Sequence, residues 1–213
     1  MNKIAVIVLI FFLTIVSNSY SAPPKNNPSD PWSNNYLWQS FVNTKSHAIF
    51  SAKINDKLSP FKFKIVGQLK NDNRTNPDDA YFLPSYVEIY DSSKSKAIQK
   101  LKAKDKFDDS GFGWGRGGCD YVQMVDINFD GYLDLRLFDN AGATGNDWYA
   151  TYIYKPDLRK FVFSKELSEL SDVSVDPKKK QLSSTYHGGI GSSGTEYFKF
   201  VNNKLVSIKY ERK

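Results

Sequence analysis

The sequence predicts an all-β fold, and three observations carry that prediction. Aromatic residues make up 15% of the chain, and with Val and Ile they suit a pleated, half-buried surface. Short stretches alternate apolar and polar side chains, which is the period-2 signature of strands. Thirteen glycines and nine prolines punctuate those stretches as turns. The expected architecture is a single antiparallel domain, arranged as an incomplete β-propeller-like array or a β-sandwich, since both give similar strand patterns.

Taken in order, Lys3 and an apolar run over residues 4–16 read as a secretory signal peptide spanning residues 1–21. The run is about 13 residues, short of the roughly 20 needed for a membrane-spanning helix. Residues 22–44 open on APPKNNPSDPWSNN, which has too little apolar surface for a core and reads as a flexible segment. Trp32, Tyr36, Leu37, Trp38 and Phe41 follow and are expected to lie against the domain behind them. That domain is expected over residues 45–213. HAIFSAKI and FKFKIVGQL form a first antiparallel pair, and SYVEIYD and AIQKLKA a second beyond a polar loop. Residues 110–118 are glycine-rich and irregular. VQMVDI and YLDLRLFD flank a polar turn, with Leu133, Leu135 and Leu137 on one face and Asp134 and Arg136 on the other. DWYATYIY and KFVFSKEL flank Pro156-Asp157, and KELSEL allows one helical turn. VSVD and KQLSSTY surround Pro177. YFKFV and KLVSIKY flank Asn202-Asn203, a compact hairpin signal because Asn tolerates positive φ. This makes roughly ten strands and no long helix.

Composition excludes several function classes. Cys119 is the single cysteine, so an intramolecular disulfide framework is impossible, and a buried small hydrophobe is its expected role. No cysteine stands near the expected cleavage point to carry a lipid anchor. The net charge is +6, or +5 once Lys3 is removed. The basic residues are interleaved with acidic ones and no recognition motif accompanies them, so nucleic acid is not an expected partner. Export to the periplasm or the medium follows from the signal peptide.

The most specific stretch is Asp126-Ile127-Asn128-Phe129-Asp130-Gly131-Tyr132-Leu133-Asp134. Oxygen side chains stand at positions 1, 3, 5 and 9, with glycine at 6. A calcium ion takes six to eight hard oxygen ligands, and such a loop wraps them about one point. Asp126, Asn128, Asp130, the Tyr132 carbonyl and Asp134 are the candidate ligands, with Asp139 a candidate to complete the shell. Position 12 is Leu137, where an EF-hand needs glutamate, and strands flank the loop. It resembles the calcium hairpins of FG-GAP and related propeller-type repeats. A metal-free acidic turn uses the same residue types, and four oxygen side chains in register favour a structural ion.

A second constellation runs from Tyr186 to Tyr197 as YHGGIGSSGTEY. Its glycines let backbone approach another surface closely, and His187, Ser192, Ser193, Thr195 and Tyr197 offer donors without formal charge. The segment reads either as a loop that enters a carboxylate-lined cleft or as a long hairpin connection. Other signals fail. Residues 113–118 lack the Lys-Ser/Thr of a phosphate loop. Two histidines and one cysteine give no spacing of the kind a zinc site uses. Ser193 has no nucleophile elbow, Asn73-Arg74-Thr75 is a chance-level glycosylation match, and no catalytic apparatus is legible.

The order of these segments resembles the periplasmic immunity proteins of antibacterial type IV secretion systems, which are similar to invertebrate-type lysozyme inhibitors. The resemblance runs over residues 122–210, through the calcium hairpin, KFVFSKELSEL, VDPKKKQL, the glycine-rich segment and YFKFVNNKLV. It implies an all-β, non-enzymatic inhibitor whose loop plugs a lysozyme-like peptidoglycan hydrolase. Ser193, Gly194 and Tyr197 match the short Ser-Gly/Tyr signature, with His187, Ser192 and Thr195 as neighbours. The chain departs from that group in lacking the lipoprotein cysteine. A different class of function fits as well: a calcium-dependent glycan-binding or adhesion module of the envelope, stacking sugars on Trp114 or Trp148.

Overall fold

The computed structural model describes residues 34–71, 80–91, 94–102, 114–115, 121–189 and 192–212. The signal peptide, residues 22–33, the loop after Asn71, Cys119 and most of the glycine-rich stretch 110–118 lie outside them. The described chain is nearly all β, built as three antiparallel sheets, none closed into a barrel. The first holds β1 (His47–Ala52), β2 (Phe61–Asn71), β3 (Ala80–Asp91) and β4 (Gln99–Lys102), with the two-residue β5 (Trp114–Gly115) paired to β3. The second is β6 (Val122–Val125), β7 (Asp134–Ala141), β8 (Asp147–Lys155) and β9 (Lys160–Phe163). After a single helical turn, α2 (Lys165–Ser168), the third is β10 (Val173–Asp176), β11 (Gln181–His187), β12 (Ser193–Val201) and β13 (Lys204–Arg212). Strand order equals chain order in each four-strand path, so each sheet is a meander. The architecture repeats although the sequence shows no repeat.

Residues 34–44 are the first difference from the sequence reading. They form α1 (Asn34–Thr44) and are not a flexible segment. Leu37 and Phe41, one helical turn apart, are fully buried, and Phe41 stacks on Phe82 with ring centroids 3.6 Å apart. Burying a Leu or Phe side chain is worth roughly 1.5–3 kcal/mol, enough to hold a short helix whose own propensity is modest. Thr44 closes it, its hydroxyl donating to the Ser40 carbonyl and accepting the His47 N–H.

The middle sheet explains why alternation fades in the centre of the chain. Residues 134–138 of β7 and 149–154 of β8 are buried without interruption, as expected for strands covered on both faces. Leu135, Leu137, Tyr152 and Tyr154 join the first sheet's Phe61, Phe63 and Ile65 in one core. Ile153 and Ile127 join Leu182 and Phe198 of the third sheet in another. Arg136 is buried between the second and third sheets. Its guanidinium lies 4.4 Å from the Tyr149 ring centre and donates to Gln123 Oε1 at 2.6 Å. Burial lowers its pKa to about 10, so it stays charged at neutral pH.

The hairpin turns fall at two poles. Turns after β1, β6, β10 and β12 share one pole: the Leu133 N–H donates to the Ile54 carbonyl, Phe129 meets Phe200, and Ile54, Val125, Val175 and Pro177 line a common cleft of about 250 Å³. The turns after β3 and β8 are tied by an Arg159–Asp91 ion pair at 2.9 Å. The turns after β7 and β11 meet at the opposite pole. Asn202 and Asn203 both have positive φ, 50° and 61°, as the compact hairpin requires.

One glycine is indispensable to this frame. Gly67 sits at the register shift between β2 and β3, and a Cβ there would stand 2.2 Å from the Leu83 carbonyl oxygen and 2.7 Å from the Phe82 ring. Gly67→Ala is expected to destabilise the fold by about 1–3 kcal/mol, the usual cost of overpacking, and a thermal melt would read it.

Candidate functional site

The acidic loop leaves β6 at Val125 and enters β7 at Asp134. Two residues with positive φ, Phe129 at 62° and Gly131 at 87°, fold it back on itself. Side-chain oxygens then cap the loop's own backbone. Asp126 accepts the N–H groups of Asp130 and Gly131 at 3.0 and 2.9 Å. Asn128 Oδ1 accepts from the Asp130 N–H, and Asp130 Oδ1 from the Tyr132 N–H. The Asn128 amide donates to Asp130 Oδ2.

Asp134 is fully buried. Its two oxygens accept the Tyr154 and Ile127 N–H groups at 2.8 and 3.0 Å, so it pins the loop to β8. Burial pushes its pKa up to about 8 against those two hydrogen bonds, with the charges of Asp130 and Asp126 adding to the rise. Burial also raises Asp126. From the first sheet, the Asn55 side chain donates to the Gly131 carbonyl at 2.7 Å. The loop is therefore the joint between the first and second sheets.

The donor set fits a hard cation by type: three carboxylates, an amide oxygen and the Tyr132 carbonyl on one short loop. A buried carboxylate among like charges is also what a bound cation would relieve. Among the described residues no group of three His, Cys, Asp or Glu side chains stands ready to hold a metal; the carboxylates are held instead by backbone N–H groups. Asp139 does not belong to the shell. It lies five residues down β7 from Asp134, roughly 17 Å away at strand rise, at the irregularity between Phe138 and Asn140.

The glycine-rich segment is mostly strand. β11 runs to His187 and β12 begins at Ser193, so the connection is residues 188–192, of which Ile190 and Gly191 lie outside the described residues. The turn is closed by Gly188 N–H to the Ser192 carbonyl at 2.5 Å and Ser192 N–H to the Gly189 carbonyl at 3.0 Å. Its base is clamped by buried Asn146, which accepts the His187 N–H and donates to the His187 carbonyl, both at 2.7 Å. The His187 ring stands 3.8 Å from Asp172 and is 48% exposed.

Ser192 is exposed at the tip, and Ser193 pairs with His187 at the strand end. Gly194 and Thr195 are not in a loop at all. Gly194 lies under the Tyr210 ring, whose oxygen would stand 2.3 Å from an added Cβ, and Thr195 is buried beside Thr185 with hydroxyls 3.2 Å apart. Tyr197 is farther along β12, its hydroxyl donating to Glu211 at 2.8 Å, a bond that raises its pKa. Register puts His187 with Ser193, Thr185 with Thr195 and Ser183 with Tyr197, so Ser193, Thr195 and Tyr197 share one sheet face.

Of the aromatics considered for stacking, Trp148 is half-buried and its ring packs 3.0 Å from a Cβ built at Gly142; the Trp114 side chain lies outside what is described. The aromatics that do stand out are Tyr186 and Tyr210, 55% and 61% exposed, on either side of Gly194. Sequence reasoning missed these and Asn146. The one available signal for Asn146 was its place in a Gly142–Asn146 turn bracketed by glycines.

The fold has a known counterpart. The chain is similar to the solved structure of a Xanthomonas type IV secretion system related protein, with a TM-score of 0.52 and 21% identity, over 76% of this chain and 80% of that one. No family model matches the chain, and no curated protein matches it.

Proposed function

We propose that the protein is a non-enzymatic inhibitor of a lysozyme-like peptidoglycan hydrolase, acting in the periplasm or outside the cell. The observation that carries this reading is the clamped base of the connection between β11 and β12, where buried Asn146 holds both backbone groups of His187. Donors held in place by such a clamp lose little entropy on entering a cleft. His187, Ser192 and Ser193 supply donors that suit a pair of catalytic carboxylates. The likeness in fold to a type IV secretion related protein supports an envelope setting. Asp126, Asn128, Asp130, Tyr132 and Asp134 would hold a structural Ca²⁺ at the opposite pole, where it would brace the joint between sheets and take no part in contact with the hydrolase.

The test is lysis of peptidoglycan by c-type, invertebrate-type and bacterial effector muramidases with the purified protein added. Stoichiometric inhibition of at least one enzyme is expected. His187→Ala with Ser192→Ala should weaken it about tenfold or more while leaving the melting temperature in place, and Tyr197→Phe should spare it. Unchanged inhibition in the double variant would overturn the tip assignment. Exposed Tyr186 and Tyr210 favour a second reading, a glycan-binding module; competition by soluble peptidoglycan fragments for binding to cell walls, without inhibition of any hydrolase, would select it.

A further inference from the structure

The pole that carries the acidic loop also gathers cations and exposed apolar tips. The turns after β10 and β12 lie side by side at one end of the third sheet and bring Lys178, Lys180, Lys199 and Lys204 together, all exposed. The remaining lysine of the run, Lys179, is paired with Asp176 at 3.3 Å. At the end of β12, beside the second turn, Val201 is 50% exposed and pairs with Lys204. In the turn after β8, Leu158 is 57% exposed between Asp157 and Arg159, with exposed Lys155 and Lys160 at the ends of the turn. Both exposed apolar side chains therefore stand at this pole with lysines close by in the chain.

We propose that this pole docks on an anionic lipid bilayer, the lysines against headgroup phosphates and Leu158 and Val201 among the upper acyl chains. Each basic residue near an anionic membrane contributes about a fivefold gain in partitioning, so four to six of them form an adequate electrostatic signal. A shallow apolar insertion supplies the second signal that peripheral binding needs. A soluble polyanion would account for the lysines but leaves the two apolar tips unexplained, which is why the bilayer is preferred. No helix among the described residues is long and apolar enough to cross a membrane, so attachment would be peripheral. The proposal does not depend on the hydrolase reading, though it would leave the clamped tip facing away from the membrane.

Co-sedimentation of the purified protein with vesicles tests it. Binding is expected to vesicles containing about a third phosphatidylglycerol and not to pure phosphatidylcholine, and to fall at least tenfold as salt rises from about 50 to 300 mM. Neutralising Lys178, Lys180 and Lys204 to Gln should lower binding about 100-fold. Leu158→Ser with Val201→Ser should lower it several-fold at unchanged charge. Lys165→Glu, on α2 away from this pole, should leave it as it was. Thermal melts keep the readout separate from unfolding. Absence of binding at low salt, equal binding to both vesicle types, or full binding by a folded triple variant would each overturn the proposal. Capture by soluble polyphosphate with no vesicle binding would overturn it in favour of a soluble polyanion.

Discussion

Raising Ca²⁺ to about 10 mM is expected to lift the melting temperature by roughly 5–10 °C at pH 8, and by much less at pH 5. The size follows from mass action. A site with a dissociation constant near 10⁻⁴ M, the range of extracellular modules, gains about 2.7 kcal/mol at a hundredfold excess, and about 2–4 °C accompanies each kcal/mol in a domain this large. The pH dependence follows from Asp134. Its folded pKa is raised to about 8 from an ordinary 3.8, so between those values the folded state keeps a proton that the unfolded chain has released. Without calcium, stability is fullest below about pH 4 and falls as pH rises toward 8. A cation prefers the ionised carboxylate and removes that loss, so its benefit grows with pH. Asp126→Ala should abolish the calcium shift. Asp134→Asn should flatten the pH slope but melt lower, because an amide nitrogen must then face the Ile127 or Tyr154 N–H. Calorimetry with chelator and with calcium at both pH values reads all of this. A calcium response that is absent at pH 8 would remove the metal from the loop and leave Asp134 as a structural acceptor alone.

The strands and their hairpins were legible because they announce themselves locally. The alternation of FKFKIVGQL, the Asn202-Asn203 turn, the single helical turn at KELS and the opposite faces of Leu135 and Arg136 are all properties of a few neighbouring residues. Position along β7 also decides which carboxylates stay together: Asp134 begins the strand and stays with the loop, whereas Asp139, five residues on, is carried to the other pole. The spacing that selected the first five candidate ligands gave no reason to include the sixth.

What was not legible depends on long-range packing. The packing of Leu37 and Phe41 against the domain was expected, but the helix that presents them was not, because its propensity is modest and its partners lie in a sheet far along the chain. Alternation places Arg136 on the face opposite Leu135, and only the third sheet, far along the chain, makes that face buried. The glycine-rich segment misled in the opposite way. Glycine suggested loop, yet Gly194 is a strand residue required by the close lie of the Tyr210 ring, and the real turn is confined to residues 188–192. The Asn146 clamp bridges 41 residues of sequence, and no local pattern could have shown which backbone it would hold.

That clamp is where fold and proposed function meet. Asn146→Ala is expected to cost about 2–4 kcal/mol and to weaken hydrolase inhibition about tenfold. Asn146 is buried, and its side chain supplies the acceptor for the His187 N–H and a donor to the His187 carbonyl; these bonds are part-buried, each hydrogen bond contributes roughly 0.5–1.5 kcal/mol, and truncating a buried side chain adds to the loss. The turn it supports would then sample more conformations, and the entropy lost on binding would rise accordingly. Asn146 touches no hydrolase in this account, so its effect should differ in kind from that of a contact residue. Loss of the clamp should raise amide exchange at His187 and Gly188 even without a partner, whereas His187→Ala with Ser192→Ala should weaken inhibition with exchange at Gly188 unchanged. Asn146→Asp keeps the acceptor and loses the donor, and should fall between. If Asn146→Ala freed the turn, by exchange, and inhibition stayed at full strength, rigidity of the tip would have no part in recognition, and the sheet face carrying Ser193, Thr195 and Tyr197 would become the contact surface to test.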